Sequence, residues 1–149
     1  MNPLYATALF QAAPPHGGWP TTFAIITACD PRGQPTDDQL NIGLDAELEG
    51  RLQTLECWHW RVTGGSPDFS HAEPGFAIEL PLIDAVELGR NFDQIAVFWI
   101  EGDELSVIYC DDGARQKIGS WRERHARGNA LPRKGPCFGT DTDGNAPNS

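Results

Sequence analysis

The stretch TFAIITACDPRGQPTDDQLNIGLDAELEGRLQTLECWHWRV, residues 22–62, decides the fold. It opens on an apolar run, Thr22 to Cys29, that is hydrophobic on both faces and so reads as a strand in the middle of a covered sheet. Pro31, Gly33 and Pro35 break that strand. Thr36, with Gln39 three positions later, is a capping box, and it predicts a helix from Thr36 to Leu55. Asp37 and Asp38 suit the positive end of its dipole. Leu40, Leu44, Leu48, Leu52 and Leu55 recur at helical spacing and mark its apolar stripe. Cys57 to Val62 then alternates, with Trp58, Trp60 and Val62 on one face and Cys57, His59 and Arg61 on the other. The order is strand, helix, strand.

Outward from that stretch the pattern continues. TGGSPDFSHAEPG is a long Gly/Pro-rich connection, and loops of that length are functional or mobile. GFAIEL (Gly75 to Leu80) is a third strand, Ile83 to Phe92 a second helix and QIAVFWI (Gln94 to Ile100) a fourth strand. Ile83, Val86, Leu88, Gly89 and Phe92 form the apolar side of that helix. A tight turn at Gly102 predicts that Leu105 to Cys110 returns as a hairpin strand. Residues 4–10 are a candidate N-terminal strand. The expected fold is α+β. Its centre is a ferredoxin-like βαββαβ antiparallel sheet with two helices on one face. The extra hairpin strand and the N-terminal strand extend it, and the other face is covered by the termini or by the second subunit of a homodimer. Residues 1–126 read as a single domain and residues 127–149, rich in Gly, Pro, Asn, Asp and Thr, as a flexible tail.

Composition narrows the function. The formal net charge is −10 and the sequence pI about 4.6, so the chain repels nucleic-acid phosphates. No apolar run approaches the roughly 20 residues of a membrane span. The N-terminus MNPLYATALF lacks the basic start of a secretory signal, so the cytoplasm is the expected location. Cys29, Cys57, Cys110 and Cys137 include no C-x-x-C pair. Packed thiols are expected, with no disulfide, structural zinc or cofactor. The chain has no glycine-rich phosphate loop, nucleophile elbow or H-E-x-x-H pair. Asp141 to Asn145 imitates part of a calcium loop but lacks its closing Glu.

In the split motif, one edge of the sheet collects the end of the first strand, the start of the first helix, the long loop and the start of the fourth strand. Thr27, Asp30, Asn41, Glu73 and Gln94 fall there, and together they are the candidate ligand-binding set. Each also has a plain structural reading: Thr27 bonding nearby backbone, Asp30-Pro31 starting a turn, Asn41 facing solvent, Gln94 satisfying a loop. His71 and Glu73, two apart before a strand, join Asp30 as candidates for acid–base chemistry or for a metal. The surplus of carboxylates favours a polar or cationic ligand over a polyanion.

Four segments then carry a resemblance: FAIITACDP (Phe23 to Pro31), Asn41, GGSPDFSHAEPGFAI (Gly64 to Ile78) and LGRNFDQIAVFW (Leu88 to Trp99). They resemble the bacterial family of unknown function catalogued under the number 3293, whose pattern is I-T-A-x-N-P, then Asn, then a loop ending in Glu-Pro, then Phe-G-Q. Asp30 stands where that pattern has Asn, and Asp93 where it has Gly. The resemblance implies a small soluble bacterial protein and implies no activity. The expected function is binding of a small polar ligand or a partner protein at this edge. The alternative is a hydrolase-like or metal-assisted enzyme using His71, Glu73 and Asp30.

Overall fold

Strand β2 (Thr22–Ile26) lies near the middle of a single sheet, and the other elements are placed by what pairs with it. The structure is a computed structural model that describes residues 3–126. In chain order the elements are α1 (Pro3–Ala6), β1 (Leu9–Gln11), β2, a tight turn at Pro31–Gly33, α2 (Asp38–Leu55), β3 (His59–Gly65), β4 (Ala72–Ile78), α3 (Leu82–Asn91), β5 (Ala96–Glu101), β6 (Glu104–Tyr109), β7 (Arg115–Ser120), α4 (Trp121–Arg124) and β8 (His125–Ala126). The sheet has eight strands in the order β7-β6-β5-β2-β4-β3-β1-β8. All neighbours are antiparallel except β1 and β8. The fold is therefore α+β, with a sheet larger than the sequence suggested.

Alternation along β2 builds two cores. Ala24 and Ile26 face α2 and α3, against Leu48, Leu52, Ala85, Val86, Phe76, Ile78 and Trp99. Phe23 and Ile25 face the other side, with Phe10, Val62, Ala77, Ile100, Leu105 and Trp121. Both helices thus pack on one face, and the chain's own terminal segments cover the second.

That second face is closed by a curl. Only Trp121–Arg124 separate β7 from β8, which lie at opposite ends of the strand order. Eight flat strands would span about 34 Å at about 4.8 Å per gap. The connecting chain reaches at most about 18 Å, so the sheet curls until its ends approach. The Arg124 guanidinium bridges them, donating to the carbonyls of Ile118 (2.5 Å) and Ala8 (3.0 Å). Trp121 fills the concavity, with Phe10, Phe23 and His125 around it.

Several expectations are corrected. The first helix starts at Asp38, capped by Asp37, whose carboxylate accepts from Leu40 N; Thr36 instead donates its hydroxyl to Gln34 O. Leu40 and Leu55 overhang the stripe and are exposed, and Leu44 is only half-buried. The buried face of α2 carries Asn41 and Asp45 beside Leu48 and Leu52. Ile83 is exposed as well, because the chain enters α3 on its solvent side. The N-terminal strand is only Leu9–Gln11, preceded by the α1 turn. Strand β7 escaped the sequence reading because it is a polar edge strand, RQKIGS. Among the described residues Cys29, Cys57 and Cys110 are free thiols, the first and last buried. No described helix is long and apolar enough to cross a membrane. The proposed tail 127–149, with Cys137 and the Asp141 to Asn145 segment, lies outside the described residues.

Candidate functional site

At one end of the sheet β2 parts from β4. Just before they part, Gly75 lets the two backbones approach closely, since a Cβ there would collide with the Ile26 carbonyl oxygen. Beyond that point Thr27 takes over from the ladder. Its hydroxyl donates to Pro74 O at 2.9 Å and accepts from Cys29 N at 3.0 Å. The chain then turns through Asp30 in the left-handed region, at φ 48° and ψ 62°. Aspartate tolerates that conformation better than most residues.

Asn41 holds this turn. It is buried on α2, and its amide closes a ring with Asp30: Oδ1 accepts from Asp30 N at 2.9 Å and Nδ2 donates to Asp30 Oδ1 at 3.0 Å. Nδ2 also approaches Thr36 O at 3.3 Å, and Thr36 N donates to Asp30 Oδ1 at 3.0 Å. One oxygen of Asp30 is thus fully engaged and the carboxylate is fixed.

The long loop of the sequence reading shrinks to Ser66–His71. Gly64 and Gly65 belong to β3, and Ala72 and Glu73 to β4, with Gly64 paired to Glu73. The loop is tied down. Asp68 accepts from Ser66 Oγ and Ser70 N, Ser66 N donates to His71 O, and Phe69 is buried at φ 55° against Gly65. His71 is therefore delivered from a fixed turn. Its Nε2 lies 3.0 Å from Glu73 Oε2. One donor atom each from Asp30, His71 and Glu73 lie within 4.8 Å of one another.

The electrostatics follow from this packing. Glu73 shares the strand face of Ala77 and lies toward the inner core. Burial pushes its carboxyl above the usual range, and the charge of Asp30 adds to that, while His71 opposes it. Hydrogen bonding to Glu73 raises the His71 imidazole, against burial. The Tyr5 hydroxyl is pushed up to about 12 by burial first and then by the nearby charge of Glu73. Among the described residues no Lys or Arg pairs with Asp30 or Glu73.

Gln94 completes the edge. Its Nε2 donates to Cys29 O at 3.1 Å and to Phe92 O at 3.3 Å. It also lines an open groove of about 250 Å³ with Arg32, Arg90, Asp93, Ile95, Cys110 and Asp111. All five residues of the candidate ligand-binding set therefore lie at one end of the sheet. The polar atoms of Thr27 and Asn41 and the Gln94 amide are engaged by the scaffold. Asp30 and Glu73, with His71, present the chemistry. Tyr5 was missed from the sequence, since nothing in PLYATALF sets one tyrosine apart from a core aromatic.

The protein is thus of the α+β class, a curled sheet with two carboxylates and an imidazole meeting at one end. Residues 26–97 match the family model described as "Protein of unknown function (DUF3293)". The match includes Thr27, Asp30, Asn41, His71, Glu73 and Gln94. No curated protein and no solved structure matches the chain.

Proposed function

We propose that this end of the sheet binds a small polar, cationic ligand, with Asp30, Glu73 and His71 as its contact groups. Thr27, Asn41 and Gln94 hold those groups in place. The carrying observation is the approach of the three donor atoms to within 4.8 Å. Two carboxylates that close repel each other and favour a positive guest. A phosphate-rich ligand would meet the same charge as a penalty. In the finer fold reading, β2-α2-β3-β4-α3-β5 is a ferredoxin-like split motif with added outer strands. The central order β5-β2-β4-β3 and two helices on one face support it.

The test is isothermal titration calorimetry at low salt with amines, amino acids, divalent cations and nucleotides. Binding of a cationic probe that is lost in Glu73→Gln is expected. Nucleotide binding lost in the same variant, with no response to any cation, would overturn the reading. A second reading rests on the 3.0 Å His71–Glu73 contact, because an imidazole and a carboxyl in hydrogen-bond contact are the parts of an acid–base pair. Hydrolysis of activated esters lost in both His71→Ala and Glu73→Gln would favour it. No turnover by the wild-type protein would leave binding as the function.

A further inference from the structure

The protein treats its two inward carboxylate sites differently. Asp45, on the buried face of α2, meets Arg61 in a two-pronged ion pair at 2.8 and 3.0 Å. The Arg61 guanidinium in turn lies 4.0 Å over the Phe76 ring. That site is complete, since charge, hydrogen bonds and packing are all supplied by the chain. At the sheet end, Glu73 has only 23 % of its side chain exposed and stands against Asp30, with His71 its one basic partner among the described residues. A buried charge without a full partner is costly, so a cation from outside has a definite place here.

We infer that Asp30, His71 and Glu73 form a three-ligand site for a first-row divalent metal ion, of the zinc or manganese kind, with at least one coordination position left open. This rests on the reading of the sheet end as a cation site and names its occupant. Four observations carry it. The donor set is one imidazole nitrogen and two carboxylate oxygens: the imidazole suits zinc and its first-row neighbours better than magnesium or calcium, and the carboxylates also admit manganese. Metal–ligand bonds of about 2.0–2.1 Å put neighbouring ligands about 3.0–3.4 Å apart. His71 Nε2 and Glu73 Oε2 stand at 3.0 Å, and the rest of the set is within 4.8 Å. Asp30 has partners of the kind that orient metal ligands, since Asn41 Nδ2 and Thr36 N both donate to its Oδ1. His71 is held by a turn bonded at Ser66 and Asp68, so little order remains to be imposed on binding.

The experiment uses the full chain, freed of metal with a chelator. Zinc chloride, manganese chloride, magnesium chloride and, as organic cations, ethylamine hydrochloride and arginine are titrated separately by calorimetry. Zinc and manganese are expected to bind one per chain, at least tenfold tighter than magnesium. Asp30→Asn, His71→Ala and Glu73→Gln should each weaken that binding at least tenfold, while Glu104→Gln, an exposed carboxylate at the turn between β5 and β6, leaves it unchanged. Should a variant fail to fold, manganese added to wild-type protein should broaden the His71 ring resonances before those of His16, His59 and His125. Zinc and manganese binding that survives the three substitutions overturns the inference, and so does broadening that begins elsewhere. Binding of ethylamine or arginine, lost in Glu73→Gln, with no metal binding, overturns the inference and leaves the cation-site reading standing. Binding of none of the probes removes both.

Discussion

Asn41→Ala removes the side chain that fixes the turn at Asp30. Its cost can be worked bond by bond. The Nδ2 bond to the Asp30 carboxylate, at 3.0 Å, has a charged acceptor and is worth about 1.5–3 kcal/mol. The bond from Asp30 N, at 2.9 Å, is a neutral one of about 1 kcal/mol. The 3.3 Å approach to Thr36 O adds little. Asp30 is half-buried, so water recovers part of the loss, and the net expectation is about 2–3 kcal/mol. Asn41→Asp should cost at least as much, because it keeps the shape but sets a second carboxylate against Asp30 Oδ1. The assay is urea unfolding followed by far-ultraviolet circular dichroism, with the slope m checked for constancy. A loss below about 1 kcal/mol for both variants would refute the reasoning, since water would then be replacing Asn41 at no cost. An intact fold with weakened cation binding in Asn41→Ala would show the positioning role separately from the structural one.

Three further outcomes are expected. Leu48→Ala should cost about 2–5 kcal/mol in the same urea assay, and Leu40→Ala under about 0.5 kcal/mol, because Leu48 is fully buried and Leu40 is 56 % exposed. Gly75→Ala should cost about 2 kcal/mol or more by forcing β2 and β4 apart; a neutral result would mean that the strands separate freely at Ile26. In a Cys137→Ser background, Cys29 and Cys110 should resist thiol reagents at pH 8 until the protein is unfolded. Both are buried, and burial pushes the Cys110 thiol to about 11, so its thiolate is scarce until the pH nears that value. Fast native labelling of Cys110 would contradict that packing.

The order of elements was legible because the apolar runs are unambiguous. Phe23 to Ile26 is hydrophobic on both faces, and Leu48 and Leu52 repeat at helical spacing. Convergence at one sheet end was read from that order, and the bonds from Thr27 to Pro74, Asn41 to Asp30 and Gln94 to Cys29 bring those chain ends together. Other features were hidden for local reasons. Thr36 and Asp37 are adjacent residues with equal capping chemistry, and only the bond to Leu40 N chose between them. Gly64, Gly65, Pro74 and Gly75 look like loop residues yet sit in the ladder. A Cβ at Gly65 or Gly75 would crowd His71 O or Ile26 O, whereas at Gly64 it would make only ordinary contact with Phe10. Asn41 looks solvated in a linear reading, but its partner Asp30 lies in a turn 11 residues away. The curl depends on Arg124 reaching both Ala8 and Ile118, a contact that no periodicity announces.

The most direct measurement is a crystal structure of the protein grown with manganese chloride, read by its anomalous difference map. The expected result is one strong peak about 2.0–2.3 Å from a carboxylate oxygen of Asp30, a carboxylate oxygen of Glu73 and Nε2 of His71. A map with no peak between these residues, at full manganese occupancy elsewhere or nowhere, would contradict the metal site that Asp30, His71 and Glu73 are inferred to form.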